Sequence, residues 1–138
     1  MYLQALTTAV PSARYTQQEC WQMIAASPVR PLLARRSVLV LQSILNGDSG
    51  IASRHFAATP LEQVFTAPAD TLNEIFRREA PLLAGRALAT ALAQAGLHAD
   101  QLDALIVCTC TGYLCPGVSS SVAEQPGLRP HASLNDLV

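Results

Sequence analysis

Three of the four cysteines lie in the segment 108–117, which also carries threonine, glycine and proline. A thiol just before a helix is a candidate nucleophile, because the helix dipole and the free N–H groups of the first turn stabilise a thiolate. Cys115 has this position, since Pro116 stands at the predicted start of a helix. The sequence places no histidine beside it, and cysteine is among the most buried residue types, so an inert thiol is the simpler interpretation.

The same segment allows two other roles. Its thiols could contribute to a metal site, but structural zinc sites need a further ligand and usually present their thiols in closely spaced pairs. The other role is a pocket wall, in which small thiol and hydroxyl groups let a substrate approach the end of a strand. Ligands of open α/β sheets bind at the carboxyl ends of strands, which favours the pocket wall. We therefore assign neither a metal site nor a catalytic residue here.

The elements around this segment predict a layered α/β fold. Residues 104–109 are apolar without alternation, which is typical of a strand covered on both faces, so we expect a central strand of a mainly parallel sheet. A helix is predicted over 119–125 and the start of another strand over 132–138. The strongest helix is predicted over 70–95, and Pro81 is expected to kink or break it.

The first half of the chain predicts one strand, two helices and a long connection. Residues 3–10 are apolar and tolerate β-structure, so we expect a buried strand. Thr16 and Glu19 have the spacing of a capping box and open a short helix. A second helix is predicted over 32–45, and residues 46–69 are expected to be irregular because of their glycines and prolines.

Composition limits the class of protein. The chain has 138 residues, 50% hydrophobic and 14% charged, which predicts one apolar globular domain over 1–138 and excludes a disordered tail. Nine basic and ten acidic residues leave a formal charge of -1, so nucleic acid and anionic membranes are not expected partners. The sequence contains no lysine, which excludes Schiff-base chemistry. Clustered cysteines and the absence of a signal-peptide pattern indicate a reducing cytoplasm.

Three motifs carry a resemblance to a known family. The segment 108–117 together with the Gly-Leu-Arg-Pro at 127–130 resembles the N-terminal half of type III polyketide synthases, the chalcone and stilbene synthase family. Residues 51–56 resemble that family's basic-aromatic step, and residues 73–79 resemble the start of its long helix. The resemblance covers nearly all of the chain from Leu3 onward.

The resemblance implies a thiolase-like fold, a homodimer, and decarboxylative condensation of malonyl-CoA onto an acyl-CoA starter. CoA thioesters are then substrates, and no cofactor is implied. Cys110 and Thr111 match positions that line the substrate pocket, and Cys115 matches the position that reaches across the dimer into the neighbouring pocket. Arg54 matches a contact to the phosphates of CoA, a role for which the planar guanidinium suits.

The family's catalytic cysteine, histidine and asparagine have no counterparts in this sequence. The resemblance places the nucleophile just after the strand that residues 132–138 begin, so we expect an incomplete domain cut before its nucleophile and inactive alone. Cys115 does not replace it. The sequence also departs from the family at Pro126, where a leucine is usual, and this proline is expected to shorten the preceding helix.

Two other interpretations remain open at this point. The first is a β-ketoacyl carrier-protein synthase of the acetyl-CoA-primed type, which shares the architecture and the cysteine nucleophile but matches the segment 108–117 less well. The second is a non-catalytic interaction module, in which the apolar surplus would form a partner surface.

Overall fold

The computed structural model describes residues 2–48, 50–112 and 114–137, and the chain divides into two compact units. One unit is Val10–Leu72, and the other joins the N-terminal segment to the chain from Asn73 onward. Each unit is described here by itself. The single domain expected over 1–138 stays a prediction.

The unit Val10–Leu72 combines a two-stranded sheet with two helices. Strand β1, Ala13–Thr16, pairs antiparallel with β2, Ser53–Phe56, and the register sets Tyr15 opposite Arg54. The predicted irregular connection over 46–69 is therefore wrong in part, because the run at β2 has a partner strand to complete its hydrogen bonds. A 3-10 turn, Leu61–Phe65, follows β2.

Helix α1, Gln17–Ala26, begins at the predicted capping box. The Glu19 backbone N–H donates to Thr16 Oγ1 at 3.1 Å, and Thr16 N–H donates to Glu19 Oε2 at 2.7 Å. These hydrogen bonds hold the pKa of the Glu19 carboxyl below its ordinary range, since they favour the charged form. The box therefore stabilises the first turn of α1, as the sequence predicts.

Helix α2, Arg35–Asn46, begins three residues later than the predicted start of the second helix at 32. The residues before it form a 3-10 turn, Arg30–Leu32, and the extended backbone at Leu33 and Ala34 separates that turn from the helix. Helices α1 and α2 pack together through buried apolar side chains, of which Cys20, Val38 and Leu45 are the most enclosed.

The second unit contains the long helix α3, Ala69–Ala95, whose first residues lie in the other unit. The predicted bounds of 70–95 are confirmed, but the helix continues through Pro81 and the expected break is wrong. One missing N–H donor does not end a helix of 27 residues whose proline ring is buried. The carbonyl of Pro81 accepts a hydrogen bond at 3.1 Å from the Gln125 side chain, which ties α3 to the end of the next helix.

That next helix, α4, is Val118–Glu124, close to the predicted 119–125. It ends at Glu124, two residues before Pro126, although Gln125 still has helical backbone angles, φ -64° and ψ -52°. Val118, Ser119 and Val122 are its buried residues, and they form the centre of this unit's core.

Strand β3, Ala104–Cys108, pairs parallel with β4, Ser133–Leu137, with Ile106 opposite Asn135. A strand over 132–138 is confirmed, although Val138 lies outside the described residues. The central position expected for 104–109 is wrong within the described part of the chain, because β3 has one partner strand and Ile106 is 64% exposed. The apolar run predicted a strand covered on both faces, but the described residues cover only one face of β3.

The buried strand expected over 3–10 is absent. The backbone there forms no strand, and Leu3 and Leu6 are 80% and 78% exposed. A strand needs a neighbour for its hydrogen bonds, and in the described ranges none pairs with this segment. Thr7 instead anchors it, since its hydroxyl donates to the Ala87 carbonyl on α3 at 2.9 Å.

None of the helices in residues 2–48, 50–112 and 114–137 is long and apolar enough to cross a membrane.

Candidate functional site

The loop 109–117 leaves the carboxyl end of β3 and is held at its first bend by Phe76 of α3. Gly112 has φ +78°, a backbone conformation that favours glycine. A Cβ built on Gly112 would also overlap the ring of Phe76. The loop therefore needs glycine here for two reasons, backbone conformation and the close approach of an aromatic ring.

The far end of the loop is held by Asp136 of β4. The Ser119 backbone N–H, in the first turn of α4, donates to Asp136 Oδ1 at 3.0 Å. The Ser119 hydroxyl donates to Asp136 Oδ2. Ser119 is 1% exposed, and both of its donors are satisfied by the carboxylate of Asp136, which is itself exposed on β4.

Gly117, the residue before α4, makes room for this carboxylate. Its φ of -65° and ψ of 169° are open to any residue, so the backbone does not require glycine. A Cβ at this position would overlap the Asp136 carboxylate. Space, and not conformation, accounts for glycine at position 117.

A cavity of about 260 Å³ lies between these two anchors. It is smaller than the roughly 300 Å³ at which drug-sized ligand sites begin, so it suits a short acyl group or one end of a longer ligand. Its wall mixes apolar side chains with a hydroxyl, a thiol and a carboxylate, contributed among others by Phe76, Thr109, Leu114, Cys115, Val118 and Asp136.

The structure brings only one of the three predicted pocket residues to this cavity. Cys115 lines it, and its thiol is free and exposed. Cys110 and Thr111 are exposed on the same loop and stand outside the lining of the cavity. Their assignment to a substrate pocket stays a prediction.

Thr109 belongs to the segment 108–117 that the sequence analysis interpreted as a pocket wall, and it lines the cavity. Phe76, Val118 and Asp136 also line it and were missed by the sequence interpretation. Asp136 had a signal, because a carboxylate inside a short strand is depleted on propensity grounds. In the structure Asp136 accepts hydrogen bonds from the buried Ser119.

Arg54, the predicted contact to CoA phosphates, lies half-buried on β2 in the other unit. Its Nε donates to Gln17 Oε1 at 2.9 Å, and Gln17 is itself 8% exposed. The terminal nitrogens of Arg54 form no hydrogen bond with the residues that the structure describes. The guanidinium is thus fixed by one nitrogen and keeps its two terminal nitrogens for another acceptor.

A shallow polar cavity of about 500 Å³ lies beside the buried Gln17 in the same unit. Its wall is formed mainly by residues that begin α1 and end α2, among them Thr16, Gln17, Gln18, Asn46 and Gly47. Arg54 is not in its lining. Arg54 is linked to this cavity through its hydrogen bond to Gln17, which lines the cavity.

The neighbours of Arg54 have structural roles. His55 Nδ1 lies 2.7 Å from the Pro11 carbonyl oxygen, within hydrogen-bond distance. Burial raises the pKa of the Cys20 thiol, and the charge of Arg54 opposes this effect only in part. Cys20 is therefore a neutral core thiol.

The described residues contain no group of three histidine, cysteine, aspartate or glutamate side chains placed to hold a metal ion.

Comparisons with known proteins match most of this chain to one class of enzyme. No protein-family model matches it. The curated 1,3,6,8-tetrahydroxynaphthalene synthase of Streptomyces peucetius subsp. caesius is 32% identical over 127 residues, which is 91% of this chain and 32% of that enzyme. The chain thus spans about a third of the length of this relative.

Solved structures give the same result for the fold. PKS-I from the brown alga Ectocarpus siliculosus superposes with a TM-score of 0.78 at 23% identity, over 98% of this chain and 38% of that one. The 1,3,6,8-tetrahydroxynaphthalene synthase of Streptomyces coelicolor A3(2), a bacterial type III polyketide synthase, gives 0.73 at 24% identity, over 94% and 36%. The thiolase-like fold expected from the sequence is confirmed.

Proposed function

Since this chain is a homologue of type III polyketide synthases and has the fold of their N-terminal part, we propose that it serves the same chemistry. The reaction is decarboxylative condensation of malonyl-CoA units onto an acyl-CoA starter, carried out by the complete enzyme as a homodimer in the cytoplasm. The observation that carries the proposal is similarity in both sequence and fold over nearly all of the chain. CoA thioesters are substrates in this scheme, and no further cofactor takes part.

In this proposal the loop 109–117 forms a wall of the acyl pocket. The cavity at the carboxyl end of β3 supports this role, because that end of a parallel strand is where ligands of α/β sheets bind. Cys115 presents a small thiol at the wall and reaches toward the partner subunit's pocket. Cys110 and Thr111, which lie outside the lining of this cavity, contact the substrate of the complete enzyme in this proposal.

Arg54 contacts a phosphate of CoA in this proposal. Its hydrogen bond to Gln17 supports the role, since an arginine whose side chain is already fixed loses less entropy when it binds a phosphate. The exposed Arg77, 62% exposed in its side chain, is a matched control, because it pairs only with Glu74 on α3 among the described residues.

The 138 residues lack the nucleophile and the base that an acyl-thioester step needs, so the chain alone is expected to condense nothing. Incubation with radiolabelled malonyl-CoA and an acyl-CoA starter should give no product above a blank. Turnover that disappears in a Cys115→Ser variant would contradict the proposal, because Cys115 would then be a nucleophile.

The proposal is tested directly by the binding of CoA. Isothermal titration should show CoA binding more tightly than pantetheine, which lacks the phosphates. Arg54→Gln should lower the affinity for CoA about tenfold, the effect of one charged hydrogen bond, and leave pantetheine unchanged. Arg77→Gln should leave both affinities as they are. Equal affinities for CoA and pantetheine in the unaltered chain would contradict the assigned phosphate contact.

The reading frame beyond Val138 separates this proposal from a non-catalytic module. A glycine-cysteine turn encoded in frame, just after the β4 segment, is expected. A stop codon with no such turn in the transcript would favour the module.

A further inference from the structure

We propose that Asp136 is a positioning residue that sets the place of the Cys115 loop. This inference rests on the proposed function only in taking the loop as the wall of an acyl pocket. Asp136 stands on β4, whereas Cys115, Gly117 and Ser119 belong to the loop and to α4. One carboxylate thus joins the second strand to the segment that forms the cavity.

Two hydrogen bonds join Asp136 to Ser119. An N–H in the first turn of a helix has no partner within the helix, and burial makes an unpaired N–H costly. Ser119 is 1% exposed, so water does not supply the missing acceptor. Asp136 Oδ1 accepts from this N–H at 3.0 Å, and Oδ2 accepts from the hydroxyl of the same residue. Two bonds to one residue fix the orientation of the carboxylate as well as its distance.

Gly117 lies against the same carboxylate. The carboxylate occupies the volume that a side chain at position 117 would need. The backbone at Gly117 is compatible with alanine, and the Asp136 carboxylate is the nearest obstacle to a Cβ among the described residues. Gly117 and Asp136 are therefore a matched pair, in which the first residue is small because the second is there.

This pair of residues also lines the pocket. Cys115 lies two residues before Gly117, and both line the cavity together with Asp136. A displaced carboxylate leaves Ser119 without its acceptor and lets residues 114–117 move. Asp136 therefore acts on the pocket through the loop, and we do not assign it a part in bond making.

The test uses the 138-residue chain and two readouts that need no CoA compound. Amide hydrogen exchange, followed by NMR, reports on the Ser119 N–H. Alkylation by iodoacetamide, followed by fragmentation mass spectrometry of the peptide that holds Cys108, Cys110 and Cys115, compares Cys115 with Cys110. The variants are Asp136→Ala, Asp136→Asn, Gly117→Ala and the double variant Gly117→Ala with Asp136→Ala.

In Asp136→Ala the Ser119 amide should exchange about tenfold faster, in keeping with the loss of a hydrogen bond to a charged group. The alkylation ratio of Cys115 to Cys110 should change about threefold or more, because Ser119, which follows the loop that carries Cys115, has lost its hydrogen bonds to Asp136. Amides of β3 should change less than about twofold, which separates a local effect from general unfolding. Asp136→Asn should restore both readouts, because an amide accepts from the Ser119 N–H and donates to its hydroxyl.

Gly117→Ala should resemble Asp136→Ala, and the double variant should be no worse than Asp136→Ala alone. An unchanged Ser119 amide in Asp136→Ala would overturn the proposal. So would a failure of Asp136→Asn to restore it, or a double variant whose effect is the product of the two single effects. Since CoA is absent from both readouts, a failure to bind CoA would count against the proposed function and leave this inference standing.

Discussion

Replacement of Gly112 by alanine should destabilise the chain through two separable effects. At φ +78° an alanine Cβ meets the following carbonyl oxygen, at a cost of about 1–2 kcal/mol. The same Cβ overlaps the ring of Phe76, and an extra methyl group in a packed contact costs about 1–3 kcal/mol. The sum is about 2–5 kcal/mol, which is a large share of the stability of a small domain.

The two effects can be measured apart. Gly112→Ala in a Phe76→Ala background removes the overlap and leaves only the backbone cost, so the alanine should then cost about 1–2 kcal/mol. Urea denaturation followed by circular dichroism gives the free energy of unfolding of all four chains. Gly96→Ala is a control for the backbone part alone, because Gly96 has φ +66° and a Cβ there meets no atom.

A Gly112→Ala variant as stable as the parent would refute this argument about the loop. The same holds if Gly112→Ala costs as much without the Phe76 ring as with it, since the ring would then have no part in fixing the turn.

Three further predictions concern the core, the capping box and the open sheet. Burial raises the pKa of Cys20, so the stability that its neutral thiol contributes is complete below the ordinary thiol pKa and is lost as the pH rises through the raised value. A Cys20→Ala variant should therefore lose less stability than the parent as the pH rises above about 8.5, measured by urea titration. Hydrogen bonds lower the pKa of Glu19, so the stability that the capping box contributes is complete above the ordinary glutamate pKa and is lost as the pH falls through the lowered value. Glu19→Gln should therefore weaken the loss of helical circular dichroism signal at acid pH. An unchanged acid transition would contradict this. Ile106→Asp should reduce the concentration-dependent light scattering of the chain, because Ile106 is 64% exposed on a strand with an open edge, whereas a parent chain that is monodisperse at all concentrations would remove the basis for this expectation.

Local signals predicted the local structure well. The Thr16 and Glu19 pair gave the start of α1, and the apolar face over 70–95 gave α3, because both depend on residues within one or two helical turns. The parallel strands β3 and β4 were also predicted. The burial of the strands was predicted wrongly. An apolar run indicates that a strand can be buried, but it does not show which residues would cover it. Leu3 and Ile106 are exposed for this reason.

The candidate site was predicted only in part, because its geometry depends on residues far apart in the sequence. The thiols and glycines of 108–117 drew attention to the correct loop, and Cys115 does line a cavity. The residues that fix this loop, Phe76 and Asp136, belong to α3 and β4. No spacing rule connects them to the loop, and the partnership between Asp136 and Ser119 becomes visible only once β4 is placed beside β3.

The two glycines of the loop show how the same residue type serves two physical needs. Gly112 is required by its backbone and by a ring, so no substitution at Phe76 alone can make alanine harmless there. At Gly117 the nearest obstacle to a side chain is the Asp136 carboxylate, so a change at Asp136 should relax the requirement. Cys110 and Thr111, just before Gly112, are exposed and carry little of the stability of the fold. The loop can therefore vary its chemistry at positions 110 and 111 while Gly112 and Gly117 keep the rest of the loop in place.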